Sequence, residues 1–206
     1  MARHVAARII CSAWVIFGTG VLLGQPYPNK PIRMVTGGTG GSSDTVSRLL
    51  AQGLTSGLGQ QVIVDSRPSG VIPGQIVSAA PPDGYTLLLS SGSLWIAPLM
   101  QTTPYDAVRD FSTIALTNTA PNVLVVTPSL PVKSVTELVA LAKAKPGALN
   151  YSTSAVGGSG HLAAELFNVM AGVHTVHIPY KAAGLALSDL MGGRVQMAFA
   201  TGGSVA

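Results

Sequence analysis

The sequence predicts an α/β protein whose sheets are mainly parallel. Short runs of β-branched and apolar residues alternate with segments whose apolar residues recur at helical spacing, and turns rich in glycine and serine join them. In such an alternation each helix is the crossover between two parallel strands. The 206 residues, 47% apolar and only 10% charged, argue against a disordered chain and suffice for two small lobes.

The first lobe is predicted to span residues 27–103 and to alternate strand and helix twice before a third strand. Apolar residues three and four positions apart predict the first helix, which glycines close, and β-branched residues predict the strand after it. A Pro-Pro-Asp-Gly turn precedes the third strand. In chain order these elements are a strand at 32–35, a helix at 46–58, a strand at 61–65, a helix at 72–80 and a strand at 85–89.

The second lobe is predicted to span residues 104–206 and to begin with an irregular crossing that contains proline and charged residues. Apolar runs follow at 114–116 and 123–126, and Ser134 and Glu137 have the spacing of a capping box at a helix start. The remaining predicted elements are a strand at 149–152, a helix at 161–171, a strand at 175–178, a helix at 185–191 and a strand at 195–199.

The stretch from Thr36 to Asp44, Thr-Gly-Gly-Thr-Gly-Gly-Ser-Ser-Asp, joins the first strand to the first helix. Glycines let a ligand come close because they have no Cβ, and the free N–H groups and dipole of a helix N-terminus favour an anion. Similar turns follow two other strands, at 90–93 and 153–160. Ligands of parallel sheets bind at the carboxyl ends of the strands, so we expect an anion-binding crevice there.

An enzyme is the alternative to an anion-binding protein. Gly38-Thr39-Gly40 begins a G-x-G-x-x-G pattern and Asp65 ends the next strand, which leaves open a Rossmann-like nucleotide-binding enzyme, although Ser43 stands at the third glycine. Ser159 and His161 lie close together, but no acidic residue is placed to orient the imidazole for hydrolysis. The sequence therefore predicts neither a catalytic residue nor a metal site.

The first 26 residues have the pattern of an export signal. Arg3 and Arg8 precede an apolar run from Ile9 to Leu23, which is shorter than the roughly 20 residues that span a bilayer. We therefore expect cleavage before Tyr27 and a periplasmic protein. Cys11, the only cysteine, lies in this segment, so the mature chain has neither disulfides nor thiolate ligands, and no cofactor is expected.

The charge of the chain gives no indication of a nucleic-acid partner. The formal net charge of +4 falls to +2 without the two arginines of the export signal, and the remaining basic residues are dispersed.

The chain resembles the substrate-binding receptors of tripartite tricarboxylate transporters, the Bug-type periplasmic solute receptors. The resemblance runs from residue 27 to the C-terminus, and the combination and order of its motifs make it specific. Its landmarks are Gly40 to Asp44 with Arg48, Asp65 to Pro68, Pro82 to Leu88, Pro104 to Asp106, Pro121 to Val126, Lys143 to Gly147, Leu149 to Tyr151, His161 to Phe167 and Ile178 to Lys181.

The resemblance implies a periplasmic-binding-protein-like architecture, with two α/β lobes that close over a small di- or tricarboxylate or a related organic acid. It implies a receptor rather than an enzyme, with inner-membrane transporter subunits as partners. A carboxylate sensor without a transport role fits the same sequence. The resemblance also implies that the chain is C-terminally incomplete, ending before the return to the first lobe, and that the full-length protein is a monomer.

The predicted ligand-binding residues lie in the three turns. In the first turn, backbone N–H groups are expected to hold the carboxylate, while Asp44 braces the turn because like charges repel. The residues are Gly38, Thr39, Gly40, Gly41, Ser42, Ser43 and Asp44 in the first turn, Ser91, Gly92 and Ser93 in the second, and Ser154, Gly157, Gly158, Ser159 and His161 in the second lobe.

Overall fold

The computed structural model describes residues 26–68 and 70–205, which form two sheets with their flanking helices. The predicted export signal lies, up to residue 25, outside the described residues, and Cys11 with it. The elements in chain order are β1 (Ile32–Thr36), α1 (Ser42–Leu58), β2 (Val62–Ser66), α2 (Ile72–Ser78), β3 (Thr86–Leu89), α3 (Ser93–Met100), β4 (Asn122–Val126), α4 (Val135–Ala144), β5 (Asn150–Thr153), α5 (Ser159–Ala171), β6 (Val176–Pro179), α6 (Ala183–Met191), β7 (Met197–Thr201) and α7 (Gly202–Val205).

The first lobe, as we use the term below, is the sheet β2-β1-β3 with α1, α2 and α3. All its strands are parallel, and β1 pairs with both neighbours. The central strand is therefore the most buried, with Ile32 and Val35 at 1% and 0% exposure. Its core cluster consists of Ile32, Met34, Ala51, Val62 and Leu89.

The second lobe is the sheet β4-β7-β5-β6 with α4, α5, α6 and α7. Strands β7, β5 and β6 are parallel, whereas β4 pairs antiparallel with β7 at one edge. The predicted α/β fold with mainly parallel sheets is thus confirmed. The core cluster of this lobe consists of Leu138, Ala142, Leu149, Tyr151, Ala164 and Met197.

Helix α3 is absent from the prediction because its sequence has no periodicity: after Ser93 it is apolar, and it contains Pro98. A proline inside a helix removes the hydrogen bond to the carbonyl four residues earlier. Here that carbonyl belongs to Leu94, and the hydroxyl of Tyr105 donates to it at 3.4 Å. Tyr105 also packs on Leu94 with Ala107, so the segment after α3 compensates for the proline.

Two details of the second lobe differ from the sequence expectation. Of the two apolar runs, only the one at 123–126 lies in a strand, whereas Ile114 and Leu116 are 81% and 84% exposed. The Ser134 hydroxyl does accept from the Glu137 N–H (3.2 Å), but the Glu137 carboxylate accepts from the N–H of Lys133 rather than of Ser134. The boundary between the lobes at residue 104 stays a prediction.

Within the described ranges, no helix combines the length and the apolar character that crossing a membrane requires.

Candidate functional site

A cleft of about 130 Å³ lies where the two lobes meet. Residues at the carboxyl ends of β1, β3, β5 and β7 line it, so strands from both sheets point towards the same space. This is the edge at which parallel sheets bind ligands. Its volume is below the roughly 300–1,000 Å³ of sites for drug-sized ligands, which indicates a small ligand.

Most of the predicted site residues line this cleft. They are Gly38, Gly41, Ser42, Ser43, Ser91, Ser93, Ser154, Gly158, Ser159 and His161. The other predicted residues, Thr39, Gly40, Asp44, Gly92 and Gly157, lie beside the cleft and are absent from its lining. The three turns therefore do meet in space, as the topology predicts.

Two helices begin at the cleft, one from each lobe. Gly41 is the N-cap of α1 and Gly158 the N-cap of α5, both with extended backbone (φ −92° and −71°). A glycine has no side chain that could accept from the first N–H groups of its helix, and neither N-cap makes a side-chain hydrogen bond. Both ends of the cleft therefore present helix N-termini, with their partial positive charge, to a ligand.

Asp44 braces the first turn from inside. Its carboxylate accepts hydrogen bonds from Arg48 (3.0 and 3.2 Å), from the Ser66 hydroxyl (2.6 Å) and from the Gly40 N–H (3.4 Å). Burial raises the pKa of Asp44, but the hydrogen bonds from Ser66, Arg48 and Gly40 outweigh it and hold the pKa below its usual value. The carboxylate is thus ionised and fully engaged, and it fixes the turn from which α1 begins.

The glycines of the first turn contact the other lobe, a feature we call the glycine contact: Gly38 and Gly40 against residues 181–184. The N–H of Gly184 donates to the carbonyl of Thr39 at 3.3 Å. A Cβ at Gly38 would lie 2.8 Å from the Ala182 Cβ, and one at Gly40 would lie 2.9 Å from the Gly184 Cα. Gly40 therefore makes room for the second lobe, and its role at the ligand stays a prediction.

His161 lies at the second-lobe wall of the cleft and is 9% exposed. The N–H of Gly157 donates to its Nδ1 at 3.1 Å, so the neutral ring carries its proton on Nε2. The ring stacks on His177, with centroids 4.4 Å apart, and His177 stacks on Tyr151 at 4.9 Å. Gly157 is thus a support for His161 rather than part of the cleft wall.

His177 has a lowered pKa, because the ring is partly buried and because His161 lies against it. Its Nε2 hydrogen-bonds to the Thr153 hydroxyl at 2.6 Å. A lowered pKa in the folded state means that the unfolded chain takes up the proton more readily. The neutral ring of His177 therefore stabilises the folded state above the pKa of the unfolded chain, about 6.5. This stabilisation is lost as the pH falls through the pKa of the folded state.

We expect the melting temperature to fall between pH 7 and pH 5, and His177→Gln to reduce that fall. The matched control is His174→Gln, because His174 lies three residues away and is exposed. This variant should leave the pH profile unchanged. Thermal unfolding at a series of pH values measures this. A His177→Gln profile parallel to that of the unchanged protein would contradict the assignment.

Several lining residues are absent from the sequence prediction. Ser152 and Thr153 end β5, Ala200 and Thr201 end β7, and one wall is formed at the start of α6 by Ala183, Ala186 and Leu187. The strand ends obey the same topological rule that identified the other turns, but they are not marked by glycine. Ser152 is 2% exposed, and its hydroxyl has no hydrogen-bond partner within the described residues.

Two α/β lobes around a cleft, with a helix N-terminus at each side, are an architecture shared with periplasmic binding proteins. Residues 46–206 match the family described as tripartite tricarboxylate transporter family receptor. Protein BugT of Bordetella pertussis is 40% identical over 175 residues, covering 82% of this chain and 54% of BugT.

Solved structures agree with this match. A protein of R. palustris, solved with adipate, has a TM-score of 0.82 and 36% identity, covering 85% of this chain and 60% of that one. The periplasmic binding protein BugD has a TM-score of 0.81 and 28% identity at the same coverage. The chain belongs to the tripartite tricarboxylate transporter receptor family, and it spans about half the length of the curated relatives it matches.

Proposed function

We propose that the protein is a periplasmic solute-binding receptor that captures a small organic carboxylate between its two lobes and presents it to a membrane transporter of the tripartite tricarboxylate type. The observation that carries the proposal is the pair of helix N-termini, one from each lobe, at a single cleft. Both offer N–H donors without a capping side chain. Anionic groups are the ligands that such ends favour.

A carboxylate at the first-lobe side would accept from the N–H groups that open α1 and from the hydroxyls of Ser42 and Ser43, which line the cleft. On the second-lobe side, the start of α5 offers the same kind of donors, with Ser154 and Ser159 beside it. Charge-assisted hydrogen bonds of this kind contribute about 1.5–3 kcal/mol each. An acid with a carboxylate at each end would use both helix termini.

The relatives support the same assignment. The R. palustris protein, 36% identical to this chain, was solved with adipate, a carboxylate at both ends of a short chain. A nucleotide-binding enzyme is less well supported, because a cleft of about 130 Å³ is small for a dinucleotide and Ser43 replaces the third glycine of the dinucleotide pattern.

The test is a panel of small carboxylates added to the purified protein during thermal unfolding. A ligand present at a hundred times its Kd stabilises the folded state by about 2.7 kcal/mol, which raises the melting temperature of a chain of this size by roughly 5–10 °C. Uncharged amides of the same acids should give no shift. A panel in which no carboxylate raises the melting temperature would refute the proposal.

Two serine variants localise the binding. Ser152 and Ser47 both have buried hydroxyls without a partner within the described residues, but only Ser152 lines the cleft. Ser152→Ala should weaken carboxylate binding about tenfold or more, the effect of one hydrogen bond to a charged acceptor. Ser47→Ala should leave the affinity unchanged. Equal affinities for both variants would place the ligand elsewhere.

A further inference from the structure

The hydroxyl of Thr153 differs from the other hydroxyls of the cleft in its hydrogen-bond partner. Thr153 ends β5, lines the cleft and is 6% exposed, and its Oγ1 lies 2.6 Å from Nε2 of His177. Where other described lining hydroxyls form side-chain hydrogen bonds, their partners are hydroxyls, an amide oxygen or backbone carbonyls. Within the described lining, Thr153 is therefore the one hydroxyl that is paired with a titratable ring.

His177 itself lies outside the cleft. It stands on β6 beside Tyr151 of β5 and is absent from the lining. Its ring stacks on Tyr151 at 4.9 Å and on His161 at 4.4 Å, with interplanar angles of 16° and 24°. The Tyr151 hydroxyl donates in turn to the Glu165 carboxylate. The two stacking neighbours thus hold the plane of the His177 ring, and its Nε2 is directed at Thr153.

The direction of the hydrogen bond between Thr153 and His177 decides what Thr153 presents to the cleft. A neutral histidine carries its proton on only one ring nitrogen, and a hydroxyl has one proton and two lone pairs. If Nε2 is unprotonated, it accepts the Thr153 proton, and only lone pairs remain for the cleft. If Nε2 carries the proton, it donates to Oγ1, and the Thr153 proton is free to point into the cleft. Only the second arrangement attracts a carboxylate, because an ionised carboxylate is an acceptor alone.

The tautomer of His177 is fixed by no second partner within the described residues. Thr153 is its only hydrogen-bond partner in that part of the chain. His161 is different, because the Gly157 N–H donates to its Nδ1 and so places its proton on Nε2. Both directions of the bond between Thr153 and His177 are therefore open without a ligand, and an anion beside Thr153 selects the one in which His177 donates.

We propose that His177 is a positioning residue for carboxylate binding. In the liganded protein its Nε2–H donates to Oγ1 of Thr153, and the Thr153 hydroxyl donates to the carboxylate. Two hydrogen bonds in series polarise one another, so the hydroxyl is a stronger donor than an isolated one. This inference deepens the proposed function and rests on it, and it assigns a part in binding to a ring that does not touch the ligand.

The first experiment reads the tautomer of His177 from the nitrogen-15 chemical shifts of its ring in the purified whole protein. The measurement is made at about pH 7.5, above the ordinary pKa of histidine. Burial and the neighbouring His161 lower the pKa of His177 further, so the ring is neutral there. The probe is whichever of succinate, malate, adipate and citrate raises the melting temperature most. In the saturated protein, Nε2 should have the shift of a protonated nitrogen and Nδ1 that of an unprotonated one, and the reverse would overturn the inference.

Variants test whether His177 acts through Thr153, with the calorimetric affinity for the same acid as the readout. Thr153→Val removes the donor and should weaken binding about tenfold or more, whereas Thr153→Ser should stay within about threefold of the unchanged protein. His177→Phe keeps a ring in the stack without Nε2 and should weaken binding about twofold to fivefold, the share that polarisation adds. In the Thr153→Val background, His177→Phe should have no further effect. An equal loss in both backgrounds would overturn the inference, because His177 would then act without Thr153.

Ser152 provides the matched control. It precedes Thr153, lines the cleft and has a hydroxyl without a hydrogen-bond partner among the described residues. In a Ser152→Ala background, His177→Phe should still weaken binding about twofold to fivefold, because Ser152 does not bond to His177. Loss of the His177 effect in this background would show a general disturbance of β5 and would overturn the role of Thr153.

The outcomes distinguish this inference from the proposed function. If an acid binds while Nε2 of His177 is unprotonated, the positioning role is overturned and carboxylate capture stands. If none of the four acids binds, both proposals fail. The spectroscopic experiment uses the unchanged protein, so it decides the question even where a variant fails to fold.

Discussion

Replacing Gly40 by alanine is expected to weaken carboxylate binding by about fivefold to more than a hundredfold. The backbone of Gly40 has φ +79°, and a Cβ there would lie 2.9 Å from the Cα and 3.0 Å from the N of Gly184. In the proposed function the ligand holds the two lobes together, so the liganded state would bear this overlap. Overpacking of this kind typically costs about 1–3 kcal/mol, which corresponds to this range of affinity.

Calorimetry with the best carboxylate measures the change, and Gly53→Ala is the control. A Cβ at Gly53, in the middle of α1 and outside the lining of the cleft, meets no atom of the described structure within 4 Å. The control should therefore bind nearly as tightly as the unchanged protein. Gly40→Ala should also lose about 1–2 kcal/mol of unfolding free energy without ligand, owing to the left-handed backbone. Unchanged affinity in Gly40→Ala would show that the glycine contact does not take part in closure.

Replacing Gly160 by alanine is expected to lower the free energy of unfolding by about 3 kcal/mol. Gly160 lies in the first turn of α5, and a Cβ there would be 2.3 Å from the carbonyl oxygen of Phe199 on β7. The obstacle is backbone, which no rotamer change removes. Helix α5 must therefore move away from the sheet, and the N-terminus that lines the cleft moves with it.

Denaturant titration measures this loss, and for a chain of this size it corresponds to a fall of roughly 6–12 °C in melting temperature. The control is Gly57→Ala in α1, where an added Cβ meets no atom of the described structure within 4 Å. Alanine should there stabilise the helix by about 0.5–1 kcal/mol. Equal midpoints for the two variants would mean that α5 and β7 are not packed as closely as described.

The sequence was sufficient to predict the turn at Thr36 to Asp44 because every signal for it is local. A strand, four glycines and a helix start follow one another within a few residues, and the Asp44 brace is a short-range contact to Arg48. The glycine contact is different. It joins Gly40 to Gly184, which are far apart in the chain, and glycines that serve a ligand and glycines that serve a neighbouring lobe look the same in a sequence.

The parts of the site that the sequence did not predict were missed for physical reasons as well. Helix α3 has no polar face for a periodicity to reveal, and Pro98 argues against a helix until the compensating Tyr105 hydroxyl is known. The end of β7 contributes to the cleft through Phe199 and Ala200, which carry no chemical signal of binding. The stack of His161, His177 and Tyr151 brings together three elements that only the fold makes neighbours.

The contact between the two lobes and the recognition of a ligand depend on different kinds of atoms. The lobes meet there through main-chain atoms, with the Gly184 N–H donating to the Thr39 carbonyl, and main-chain groups are the same whatever side chains a protein carries. Most residues that line the cleft lie outside this contact, which shares Gly38 and Ala183 with the lining. Substitution of the side chains that line the cleft would therefore change what binds there without altering the main-chain contact between the lobes.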